Sequence, residues 1–98
     1  MLTIHAIKKT VMEIAPKYPI SSVKLFGSYA DGDATEESDV DIIIKSYGIF
    51  TLFDLMDFRQ ILSERLDAAV DIIEEERVAA SEFIIEKVVD LYERQDAS

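Results

Sequence analysis

Apolar residues recur at two different spacings along the chain, and the spacing changes several times. From residue 3 to residue 16, Ile4, Ile7, Val11 and Ile14 fall on one stripe at helical spacing. Pro16 and Pro19 then stop that helix. "SVKLF", Ser22–Phe26, alternates with a period of two and predicts a strand. Gly27-Ser28 opens a short helical turn that Gly32 can end. "VDIIIK", Val40–Lys45, is rich in β-branched residues and predicts a second, central strand. Thr51 can cap a helix running to about Leu66, with Leu52, Leu55, Met56, Phe58, Leu62 and Leu66 as its apolar stripe. "AAVDIIE", Ala68–Glu74, predicts a third strand, and residues 79–94 a last helix with Phe83, Ile84, Val88, Leu91 and Tyr92 facing inward. No internal repeat, linker or low-complexity tract interrupts the series. The order α-β-α-β-α-β-α predicts one α+β domain over residues 1–98, a short mixed β-sheet flanked by helices in two or three layers.

Composition narrows the classes. The chain has 98 residues, 49% of them apolar, which suits one modest core rather than a disordered chain. There is no cysteine, so disulfides and thiolate metal sites are excluded. The first residues lack a continuous apolar segment, and their lysines follow the first apolar residues, unlike a signal peptide. No apolar run approaches the roughly 20 residues of a membrane span. A soluble, cytoplasmic protein with no membrane contact is expected. Ten basic against twenty acidic residues give a net charge of −10, which repels a phosphate backbone, so direct nucleic-acid binding is not expected. A nucleotide can still bind through divalent cations, and a basic protein can bind the surface directly. Most of the acids, Glu74-Glu75-Glu76 included, need no role beyond solubility.

The chemistry concentrates in "LFGSYADGDATEESDVDIII", Leu25–Ile44. Side chains alternate across a strand, so Asp39 and Asp41 point one way while Val40 and Ile42 point to the core. Two carboxylates so placed repel each other by roughly a few kcal/mol in a partly dry site unless a cation lies between them. Oxygen donors at this spacing suit Mg²⁺, which takes one or two carboxylates plus substrate phosphates. Asp71, alone between Val70 and Ile72, can complete the cluster if the second and third strands are neighbours. Aspartate at a strand start is common, so Asp39 alone carries little weight. Asp41 and Asp71 carry more, because a lone acid inside a run of Ile and Val is unfavourable without a partner.

Gly27-Ser28 has a plain reading as a turn. Its other reading is an anion site: exposed backbone N–H groups, a glycine that admits a phosphate, and a hydroxyl that donates to it. His5, with no Cys or second His, is not a metal candidate. Tyr18, Tyr29, Tyr47 and Tyr92 are read as packing residues, with Tyr29 also able to line a nucleotide pocket. Ser38 is read as ordering the loop before Asp39.

"GSYADG" followed by "SDVDIII" resembles the Gly-Ser-x-Ala-Arg-Gly…Ser-Asp-x-Asp-Leu pattern of the minimal nucleotidyltransferases, or MNT proteins, of the DNA polymerase β-like superfamily. The resemblance extends over essentially the whole chain, with "AVDII" as its later part. It implies that Gly27 and Ser28 bind the β/γ phosphates of a nucleoside triphosphate. It implies that Asp39 and Asp41 ligate two Mg²⁺ ions, and that Asp71 is the third carboxylate, holding the catalytic metal and assisting deprotonation of the acceptor hydroxyl. One departure stands out: Asp31 occupies a place where the family pattern often has arginine, which bears on substrate affinity and turnover.

MNT proteins are typically paired with a HEPN protein, a helical ribonuclease toxin. The resemblance therefore implies an antitoxin that transfers AMP from ATP to a toxin tyrosine, in a homo- or hetero-oligomer. Larger relatives carry an extra helical substrate domain that this chain lacks, which also points to an acceptor on a partner. The acidic charge suits a basic RNA-cleaving partner. Ile85 and Val89 on the last predicted helix either pack within the domain like its other apolar residues or are spare for this contact. Two alternatives stay open: an antitoxin weak in catalysis that neutralises by binding alone, and a nucleotidyltransferase acting on a small molecule or an RNA end.

Overall fold

The computed structural model describes residues 2–80 and 87–95. Thr3 caps the first helix, α1 (Ile4–Ile14), accepting a hydrogen bond from the Ala6 backbone N–H. A single 3₁₀ turn at Ala15–Lys17 carries Pro16. There follow β1 (Ile20–Phe26), α2 (Gly27–Asp31), β2 (Val40–Ser46), α3 (Leu52–Leu66), β3 (Val70–Glu74), α4 (Glu75–Ala80) and β4 (Val89–Glu93). Among the described residues, no helix is long and apolar enough to cross a membrane.

The four strands form one mixed sheet in the order β3-β2-β1-β4. β1 runs antiparallel to both β2 and β4, whereas β3 is parallel to β2. One face of the sheet is buried. Val23 and Leu25 of β1, Val40, Ile42 and Ile44 of β2, Val70 of β3 and Leu91 of β4 meet Ile7, Val11 and Ile14 of α1 and Phe58, Leu62 and Leu66 of α3. Alternation puts Ser22, Lys24 and Phe26, then Asp41, Ile43 and Lys45, then Asp71 and Ile73, on the opposite face. α4 leans on β2 and β3.

α3 links β2 to its parallel neighbour. Its start is a capping box: the Asp54 backbone N–H donates to the Thr51 hydroxyl at 3.2 Å, and the Thr51 N–H donates to Asp54 Oδ2 at 2.9 Å. Its end is tied to the loop before β3 by Ser63 Oγ donating to the Ala68 carbonyl at 2.7 Å. Only part of the expected stripe is core. Phe58, Leu62 and Leu66 are buried, but Leu52 and Met56 are exposed, as is Phe53. The inward face is set by the second half of the helix. In the first turns Leu55 still packs against the core, whereas Leu52, Phe53 and Met56 are turned away from it.

The last element departs further from the sequence pattern. The predicted helix over residues 79–94 is replaced by the short α4 and by β4, so the order is α-β-α-β-α-β-α-β. Leu91 is buried and Tyr92 packs against the core, but from a strand; Val88 is exposed. Val89 pairs with Leu25 in the sheet, which removes it as a spare helical contact. Phe83, Ile84 and Ile85 lie outside the described residues. The stretch satisfied both spacings. What decides is the free edge of β1, whose backbone groups gain partners from β4.

The burial pattern yields a contrast within one helix. Phe58→Ala should cost about 3–5 kcal/mol by emptying the core. Phe53→Ala, at a side chain 81% exposed, should change stability by less than about 0.5 kcal/mol. Urea denaturation of the two variants measures both.

Candidate active site

The C-terminal end of β1 and the N-terminal ends of β2 and β3 meet at one edge of the open face. Phe26 is opposite Asp41 in the β1–β2 pair, and Asp41 is opposite Asp71 in the parallel β2–β3 pair. Residues at matching positions of paired strands share a face, so the Asp41 and Asp71 carboxylates lie side by side. Asp39 precedes β2 by one residue and is exposed. Its loop is ordered by Ser38, whose hydroxyl accepts from the Thr35 N–H at 2.8 Å while its own N–H donates to the Thr35 carbonyl at 3.1 Å. The mouth of β2 is held to β3 by the Val40 N–H, which donates to the Ala69 carbonyl at 2.8 Å.

Electrostatics mark Asp41. It is half-buried, and its pKa is pushed up to about 6 from 3.8. Desolvation by burial is the main cause, followed by the charges of Asp71 and Asp39 and a hydrogen bond shared with Asp71. Asp41 therefore feels both of the other acids picked out in the sequence.

Gly27 has a second role that the sequence did not reveal. It adopts φ +74°, and a Cβ there would overlap the Asp41 carboxylate at Oδ2. The bare Cα thus leaves the space that Asp41 fills, and brings the first backbone of α2 against that carboxylate. Ser28, the next residue, is half-buried. Gly32 closes α2 in the left-handed conformation at φ 83°, as its sequence position suggested. Asp31, just before it, is exposed.

Whether this site suits a metal can be judged from its donors. Among the described residues, no three acidic or imidazole side chains already surround a common point that would hold an ion. The carboxylates approach without forming a finished cage. Their chemistry nevertheless fits Mg²⁺, which accepts an all-oxygen set and needs few protein ligands when phosphates complete it. A cation would also offset the burial and the acidic neighbours that together raise Asp41.

Lys24 and Lys45 were not singled out in the sequence, yet they lie further along the same face. They border a cleft of about 400 Å³ with Ser22, Glu75, Asp90 and Arg94. Their only sequence signal was position in the strand pattern, which does not distinguish a ligand-facing lysine from a solvated one. Tyr29 is buried in the core and borders a different cleft, of about 440 Å³, with Leu2, Ala6 and Leu66. Tyr18 donates to Asp57, and Tyr47 lies under the Arg94 guanidinium at 4.2 Å.

The raised Asp41 pKa has a signed consequence. Between pH 3.8 and about 6 the folded chain holds a proton on Asp41 that the unfolded chain has released. This contribution to stability is complete below the unfolded pKa and is lost as pH rises through the folded one. At pH 7.5 the charged Asp41 therefore opposes folding, and Asp41→Asn should stabilise the protein by about 1 kcal/mol after discounting for solvent screening. The difference between variant and wild type should vanish toward pH 4, as read by urea denaturation across pH without added metal.

Comparison with known proteins places the chain in a family. The family described as "Polymerase beta, Nucleotidyltransferase" matches residues 9–97. A Methanocaldococcus jannaschii protein named as a candidate protein adenylyltransferase is 39% identical over 67 residues, spanning 68% of each chain. The protein adenylyltransferase MntA of Thermococcus cleftensis is 30% identical over 77 residues, 74% of this chain and 78% of its own. In fold, the chain is similar to a structure of a tri-AMPylated Shewanella oneidensis HEPN toxin in complex with its MNT antitoxin. That match has a TM-score of 0.67 and 16% identity, over 94% of this chain and 74% of the other. The two carboxylates abreast on β2 and β3, the glycine against them and a family match over nearly the whole chain together establish that the chain belongs to the polymerase β-like nucleotidyltransferases.

Proposed function

We propose that this chain is a Mg²⁺-dependent protein adenylyltransferase and an antitoxin, which transfers AMP from ATP to a tyrosine hydroxyl of a HEPN ribonuclease toxin and so silences it. The observation that carries the reading is the register match of Asp41 and Asp71 across parallel strands, with Gly27 packed directly on Asp41. The names of the relatives support protein as the acceptor, and the fold match to a HEPN–MNT complex supports the partner. A cytoplasmic setting suits a target that cleaves RNA.

In this reading the tyrosine oxygen attacks the α-phosphorus of ATP, the bond to the β-phosphate oxygen breaks, and pyrophosphate leaves. Asp39, Asp41 and Asp71 would hold two Mg²⁺ ions, which when bound supply charge neutralisation and activation of the attacking oxygen. Asp71 would take the hydroxyl proton. The backbone at Gly27 and the Ser28 hydroxyl would hold the β/γ phosphates. The acids act by position and charge, without a covalent intermediate on the protein.

Asp31 favours a second reading. An acid at the end of α2, in place of the family's arginine, adds repulsion toward a triphosphate. An antitoxin that works by binding alone would tolerate it.

ATP labelled at the α-phosphate, Mg²⁺ and a candidate HEPN toxin separate the readings. Label should appear on the toxin, fall at least 10³-fold with Asp41→Asn or Asp71→Asn, and disappear with EDTA. An unlabelled toxin in a tight complex favours binding alone. Label on an RNA end or small molecule, without the toxin, overturns the proposed acceptor.

A further inference from the structure

One unexplained feature of the described surface is apolar. Ile49 is 85% exposed, Leu52 68%, Phe53 81% and Met56 56%. They follow one another along the β2–α3 loop and the first turns of α3, at spacings that put Leu52, Phe53 and Met56 on adjoining parts of the helix surface. A cluster of large exposed apolar side chains on a small, highly charged domain marks an interaction surface.

We propose that this cluster is the docking surface for the protein partner, a helical protein presenting an apolar stripe with a basic rim. The identification of that partner as the HEPN toxin rests on the function proposed above. Two observations commit the surface to this occupant rather than to a second copy, and a third shows that the core does not use it. Asp54 and Asp57 stand on the same turns of α3, with Arg59 as the nearby cation, so a self-contact would set acids against acids. The whole chain carries −10, which opposes association with itself and favours a basic partner. The apolar side chains also contribute nothing visible to the core, so solvent exposure is their cost in the free chain and burial their gain in a complex.

The position adds a functional consequence. Asp41 opens β2, whereas Ile49–Met56 follow its far end; five residues of strand separate these ends by roughly 17 Å. α3 then returns from that pole toward the start of β3. Docking and chemistry therefore occupy opposite poles of the domain. The partner is gripped at one, and its acceptor hydroxyl must be presented at the other by a reaching segment or by a neighbouring subunit. Substitutions in the docking cluster should leave nucleotide binding intact.

Phe53→Asp and Met56→Asp test this in the full chain, with Phe53→Ala as the mild version and Met12→Asp as the control. Met12 is 52% exposed on α1, away from the cluster. Thermal melts confirm folding, calorimetry with the HEPN protein reads docking, and Mg·ATP titration reads the nucleotide site. The expected result is at least tenfold weaker partner binding for the two aspartate variants, a smaller loss for Phe53→Ala, and wild-type values for Met12→Asp. Mg·ATP affinity should be unchanged in all four. Wild-type partner affinity in both aspartate variants overturns the docking surface while leaving the proposed function standing. A wild-type chain that does not bind the HEPN protein overturns both. A wild-type dimer that Phe53→Asp converts to monomer, seen by light scattering, assigns the surface to a second copy and overturns the proposal.

Discussion

Asp41 and Asp71 face each other at matching positions of two parallel strands, and the edge of the sheet is organised around that contact. Parallel pairing forces the two side chains to the same face; no rotation of either strand as a whole can separate them while the ladder holds. The cost is visible in Asp41, whose carboxyl is held near pH 6 by burial and by its acidic neighbours. Gly27 fits the same constraint from the β1 side, since any side chain there would occupy the carboxylate's space. A fold that keeps such a contact spends stability on charge density, which is the property a phosphate-handling metal site requires.

The rest of the domain serves to hold these strand ends. α1 and α3 cover one face with a continuous apolar core, leaving the other face to Asp41, Asp71, Lys24 and Lys45 beside the apolar Phe26 and Ile43. The capping box at Thr51 and the Ser63–Ala68 hydrogen bond fix both ends of α3, and with them the parallel alignment of β2 and β3. β4 seals the free edge of β1. The family match over residues 9–97 fits a domain whose elements nearly all bear on one edge.

The convergence of the acids was largely legible because its signals are local. Period-two alternation placed Asp41 on the open face, and an acid inside Val70–Ile73 flagged Asp71; the strand pairing then put them together. The contact between Gly27 and Asp41 was not legible, because it depends on how α2 leaves β1 in space. Two errors have the same origin. Leu52 and Met56 satisfy helical spacing, but spacing does not say where the neighbouring layer ends. Val89 and Leu91 alternate about Asp90, a strand signal masked by the apolar residues before it, and only the unpaired edge of β1 decides the matter. Periodicity reports a preference of the segment; tertiary partners choose among preferences.

The mutual repulsion of the carboxylates is open to direct observation. Carbon-detected NMR titration of the aspartate side chains in the metal-free protein should show Asp41 titrating near 6 and falling part of the way toward 3.8 in Asp71→Asn, with burial holding the remainder of the shift. Saturating Mg·nucleotide should move Asp41 in the wild type well below its metal-free value. An Asp41 that titrates at the ordinary carboxylate value in both proteins, and does not respond to Mg·nucleotide, would contradict the account.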